Sequence, residues 1–186
     1  MSRAFGKVSI LLLLGIFLSS CGDVEKIDQA QPEELAAINA VLKRWREGYE
    51  NEDVDTYMSS FWAEGFRYES DLGTGEDTTD DVVFDTIRDE RESAIRVFSR
   101  FQDIEIEISE PPEITLNQER TSAEVRNHYR IQGFVADGES LEGGYTGWFA
   151  EGDNLFIFEF RNDEWRITEW IDEAFSEEEI IAANNL

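Results

Sequence analysis

A change of hydrophobic period at Ile104 limits the fold of this chain more than any other feature. Before it, apolar residues recur at helical steps: Leu35, Ile38, Leu42, Trp45 and Tyr49 make one stripe. Phe84, Ile87, Arg91, Ile95, Phe98 and Phe101 fall near one face of a second. From there the run Ile104-Glu105-Ile106-Glu107-Ile108 alternates strictly, which is the period of a strand with one buried face. Helices first and strands afterwards predict an α+β domain, with N-terminal helices packed on one face of a curved antiparallel sheet.

The boundaries follow from local chemistry. Pro32 and the acids Glu33 and Glu34 suit a helix start, and Asp53 caps a shorter helix carrying Val54, Tyr57, Met58 and Phe61. Phe66 and Tyr68 mark a short strand, and Asp71–Asp81 is an acidic surface loop. The next helical region contains a break near Asp89. Beyond Ile114 and Leu116, strands are expected at Thr121–Val135, Tyr145–Glu151, Leu155–Arg161 and Glu164–Ile171, with Gly152-Asp153-Asn154 read as a turn. Ser176 and Glu179 form a capping box for a last helix through Ala183.

The chain opens with Arg3, Lys7, an apolar run from Val8 to Leu18 and the tetrapeptide Leu18-Ser19-Ser20-Cys21. The run is far short of the ~20 residues that cross a bilayer as a helix. This segment resembles a bacterial lipoprotein signal with its lipobox. The resemblance implies cleavage before Cys21, a diacylglyceryl thioether on its sulfur and anchoring in the cell envelope. Gly22 after the cysteine favours the outer membrane in a Gram-negative cell. Cys21 is the only cysteine, so lipidation leaves no disulfide, thiolate nucleophile or sulfur ligand. The organisation expected is a signal peptide over 1–20, a lipidated tether over 21–32, one domain over 33–175 and a C-terminal short helix and tail over 176–186.

Charge excludes some partners. With 42 acidic against 16 basic residues the chain carries a net −26, which opposes nucleic acid and anionic head groups alike. One histidine and no free thiol leave only carboxylates for a metal, and Asp77, Asp80 and Asp81 lack the spacing of a calcium loop. No metal or cofactor is expected. His128 shares a strand face with Arg126, Arg130 and Gln132, a solvated row expected to pair with acids such as Glu105 and Glu107.

The opening helix with Trp45 and Tyr49, the segment Asp53–Phe61 leading into Trp62-Ala63-Glu64-Gly65-Phe66, and the closing Phe158–Ile167 resemble the nuclear-transport-factor-2-like superfamily, which includes SnoaL-like cyclases and ketosteroid isomerases. The resemblance implies a cone-shaped fold with an internal pocket, and an outer sheet face that commonly makes a homodimer. Strand parity then puts Val125, Asn127, Tyr129 and Ile131 on one face, and Trp165, Ile167, Glu169 and Ile171 on one face. Asn127 and Glu169 are the polar members, expected to hold the polar end of a small, largely apolar ligand. Tyr49, Tyr57 and Trp62 join Tyr129 as candidate ligand-binding residues. The reading from sequence is a lipid-anchored, non-catalytic binding or interaction module. The alternative is a pocket enzyme of isomerase, dehydratase or cyclase type with Glu169 as general base.

Overall fold

The computed structural model describes residues 32–74 and 78–184. Cys21, the signal segment and the tether up to residue 31 lie outside the described residues, and Pro32, expected to end the tether, belongs to the first helix. Helix α1 (Pro32–Glu50) starts at a proline whose fixed φ and missing N–H suit the first turn, and buries Ile38, Val41, Leu42 and Trp45. Its Gly48 is required by packing: a Cβ there would lie 2.4 Å from the backbone nitrogen of Tyr57. Helix α2 (Val54–Met58) therefore lies directly against α1, capped by Asp53, whose Oδ1 accepts from the backbone N–H groups of Asp55 and Thr56.

Strands β1 (Arg67–Ser70) and β2 (Val82–Phe84) precede helix α3 (Ile87–Arg100). Phe84, expected on the helical stripe, thus belongs to a strand. Thr86 caps α3 and accepts from the N–H of Asp89, so what looked like a break near Asp89 is the helix start. Strands β3 (Phe101–Ile108), β4 (Glu113–Leu116), β5 (Ser122–Val135), β6 (Gly147–Arg161) and β7 (Glu164–Ala174) follow, then helix α4 (Glu177–Asn184) with the Ser176–Glu179 capping box in place.

The strand order is β2-β1-β7-β6-β5-β3, with β4 sharing the β5 edge beyond β3. The sheet is mixed, not wholly antiparallel as expected: β1 runs parallel to β7. The chain enters β1 from the helical layer and meets the open side of β7 in the same direction. Helices α1 to α3 cover the inner sheet face, where Val125, Phe156, Phe158 and Ile167 are fully buried. Each such phenylalanine contributes up to about 3 kcal/mol of transfer free energy. The described residues thus form an α+β cone.

Two local departures from the expected pattern shape the interior. First, Gly152-Asp153-Asn154 is no turn; β6 runs through it without a break, paired with Tyr129-His128-Asn127 on one side and Ala174-Glu173-Asp172 on the other. Glycine is needed there because a Cβ would sit 2.5 Å from the Glu173 carbonyl oxygen. Second, Ile157 pairs with Glu169 while Phe158 pairs with Ile167, which leaves Thr168 as the extra residue of a β-bulge. A bulge reverses side-chain parity. Trp165 and Ile167 point into the cone, and beyond Thr168 it is Trp170 and Asp172 that do so, opposite Phe156 and Asn154.

Candidate functional site

Towards the end of the cone where β7 runs into α4, the helices and sheet enclose a cavity of about 470 Å³. Its wall is rich in aromatic side chains, among them Trp45 and Tyr49 from α1, Tyr68 and Phe84 from β1 and β2, Trp148 from β6 and Trp170 from β7. Their rings pack on one another, Trp45 edge-on against Trp170 at 5.4 Å and Tyr68 tilted against Trp170 at 4.7 Å between centroids. Ile106 and Ile131 add to the apolar lining, with Val82, Val97 and Ile180 among others.

One carboxyl group stands among them. The Tyr129 hydroxyl donates to Asp172 Oδ1 at 2.7 Å, and Ser70 Oγ and Tyr68 Oη donate to Oδ2 at 2.9 and 3.3 Å. Burial pushes the Asp172 carboxyl above its ordinary range, and the three hydroxyl groups pull it part of the way back. Burial and the neighbouring Asp172 charge push the Tyr129 hydroxyl well above the usual tyrosine range, so it keeps its proton and serves as donor. No lysine, arginine or histidine stands among the described residues that line this cavity.

An amide pair extends the wall outwards. Trp170 Nε1 donates to Asn154 Oδ1 at 2.7 Å, and Asn154 Nδ2 donates to Asn127 Oδ1 at 3.2 Å. Asn154 borders both the cavity and a separate, smaller cleft of about 330 Å³. Asn127 and His128 belong to that cleft.

The residues expected from sequence divide accordingly. Tyr49 and Tyr129 line the cavity. Asn127 is buried and reaches the cavity wall only through Asn154. Tyr57 lies in the core between α1 and α3, where its hydroxyl donates to the buried Glu90 at 2.6 Å. Trp62 is on a different part of the molecule: its Nε1 donates to the Glu159 carbonyl, and the guanidinium groups of Arg161 and Arg166 stack over its ring. Glu169 does not face the pocket. The Thr168 bulge turns it to the outer sheet face, half-exposed beside Arg67, so it is no pocket base.

His128 is held by carboxylates from β6, with Nε2 at 3.0 Å from Glu151 and Nδ1 at 3.0 Å from Asp153, while Gln132 donates to Glu105. The expected cross-strand pairing of this row therefore runs mainly to β6. Among the described residues no group of three or more acidic, histidine or cysteine side chains is placed to hold a metal ion. No helix among them is long and apolar enough to cross a membrane.

Parity reasoning missed Asp172, Ser70 and Tyr68. A signal existed: the bulky residues of the last strand change phase between Ile167 and Trp170, and such a phase break is the mark of a bulge. Asn154 was hidden by a Gly-Asp-Asn tripeptide that reads as a turn and is buried strand.

No protein-family profile matches the chain, and no curated protein sequence matches it significantly. Solved structures do. A nuclear transport factor 2-like superfamily protein from Salmonella enterica superposes with a TM-score of 0.63 at 12% identity, covering 80% of this chain and 95% of that one. A ketosteroid isomerase-like protein from Erwinia carotovora gives 0.55 at 16% identity over 78% and 98% of the two chains. A protein from Shewanella oneidensis, similar to nuclear transport factor 2 and of unknown function, gives 0.52 at 16% over 74% and 97%. The fold of the described residues is the nuclear-transport-factor-2-like α+β cone.

Proposed function

We propose that the aromatic cavity is the functional site and that it binds a small, largely apolar molecule with one polar group directed at Asp172. The observation that carries this reading is the single lining carboxyl, held by Tyr129, Ser70 and Tyr68 in a largely apolar chamber whose other polar side chains are the uncharged Ser93, Asn154 and tyrosine hydroxyls. A buried charge is costly without partners, so a chamber with a single preorganised carboxyl selects for a ligand that complements it. Thermal-shift measurements test it. Small aromatic and alicyclic compounds should raise the melting temperature of the wild-type chain and leave Ala150→Phe, whose larger side chain enters the cavity, unmoved. Equal shifts in both proteins place the binding elsewhere and contradict the proposal.

A second reading is favoured by the raised proton affinity of Asp172. A desolvated carboxylate beside tyrosine hydroxyls has the makings of a general base, which suits proton abstraction from carbon in an isomerase or dehydratase. In that reading Asp172 takes the part that parity assigned to Glu169.

We further propose that Cys21 carries lipid and tethers the domain to a cell-envelope membrane, with the outer sheet face as a homodimer surface. The support for the anchor is the Leu18-Ser19-Ser20-Cys21 sequence behind a charged and apolar leader. Two or more acyl chains suffice for stable anchoring. Intact-mass spectrometry of the mature protein should show a chain beginning at Cys21 with diacylglyceryl mass added; an unmodified thiol contradicts the anchor.

A further inference from the structure

Given the reading above, that the cavity binds a small molecule, we propose that its ligand is an organic cation: a quaternary ammonium group on an apolar body. Three observations converge on this class. The cavity's described lining includes one acid, Asp172, and no base, so an ionised Asp172 meets no opposite side-chain charge there. Trp45, Tyr49, Tyr68 and Trp170 line the wall, and the negative face of such rings attracts a desolvated cation. The whole chain is strongly acidic, which steers cations to it and repels anions.

The hydrogen bonds narrow the class further. A carboxylate offers about four lone-pair positions, and three are taken by the hydroxyls of Tyr129, Ser70 and Tyr68. A neutral alcohol would compete with these donors for the little capacity left. An ammonium ringed by alkyl groups makes no such demand, because it is attracted by charge at contact distance and its alkyl groups pack on the rings. The three donors act against the burial that raises the Asp172 carboxyl, and a cation seated beside it draws the group further towards its ionised form.

Three probes of similar size separate the possibilities in calorimetric titrations of the full-length chain: benzyltrimethylammonium, its neutral carbon isostere neopentylbenzene, and the anion phenylacetate. The ammonium should bind at least about tenfold more tightly than the isostere, and phenylacetate should not bind measurably. Asp172→Asn should erase that preference while keeping affinity for neopentylbenzene, which also shows that the variant is folded. Should Asp172→Asn fail to fold, the wild-type ranking of the three probes decides alone. Neopentylbenzene binding as well as or better than the ammonium overturns the cation proposal and leaves the cavity reading standing. Binding of none of the three overturns both.

Discussion

Tyr129 of β5 reaches across β6 to place its hydroxyl 2.7 Å from Asp172 Oδ1 on β7. The reach is open because residue 152, on the intervening strand, is glycine: a Cβ there would stand 3.0 Å from the Tyr129 oxygen. One absent side chain thus permits the contact that orients the only carboxyl among the described residues lining the cavity.

Gly152→Ala tests that relationship. The added methyl meets the Glu173 carbonyl and the Ala174 Cα, both backbone atoms that cannot swing away. Urea unfolding should show a loss of about 1–3 kcal/mol, typical of overpacking. An unchanged midpoint contradicts the close packing of β6 on β7.

Removing the carboxyl should expose the dependence of its neighbours. Asp172→Ala leaves the hydroxyls of Tyr129, Ser70 and Tyr68 without their shared acceptor, and Ser70 is fully buried. A loss of roughly 1–3 kcal/mol is expected. Asp172→Asn, which keeps an acceptor oxygen, should cost less.

Glu169→Ala should do almost nothing. The side chain is half-exposed and its contact with Arg67 is 4.0 Å long, so stability should change by no more than about 0.5 kcal/mol and ligand affinity not at all. A large loss of binding in Glu169→Ala would contradict the bulge at Thr168.

Glu90 gives the fold a pH dependence of its own. Burial raises its carboxyl from 4.5 to about 7, against the opposing hydrogen bond from Tyr57 and the charge of Arg96. Between those two values the folded chain holds a proton that the unfolded chain has released. Stability therefore falls as pH rises from about 4.5 to about 7, by on the order of 3 kcal/mol from this group. Glu90→Gln should flatten that part of the wild-type stability profile in urea melts from pH 4 to 8. An unchanged slope contradicts the assignment.

Much of the architecture was legible because it rests on burial periodicity. The stripe from Leu35 to Tyr49 became α1, Ile104 and Ile106 became the buried face of β3, and Asp53 and Ser176 became caps. The site was less legible, since its polar centre depends on where parity breaks. Counting by twos from Trp165 reaches Glu169, and only the extra residue Thr168 moves the inward phase to Trp170 and Asp172. The strand through Gly152-Asp153-Asn154 was obscured for a related reason. Those residue types mark turns by backbone propensity, yet here glycine serves close packing and Asn154 is buried to bond Trp170 and Asn127. The parallel β1–β7 pairing has no local signature.

The five tryptophans supply the most direct test of the cavity as the functional site. Trp45, Trp148 and Trp170 line it, whereas Trp62 lies under Arg161 and Arg166, and Trp165 packs against Phe160 away from it. In a nitrogen-15 correlation spectrum each indole N–H gives its own signal. Titration with benzyltrimethylammonium or neopentylbenzene should shift the signals of Trp45, Trp148 and Trp170 together and leave those of Trp62 and Trp165 in place. Shifts confined to Trp62 or Trp165, or no shift of any indole signal, would contradict the account.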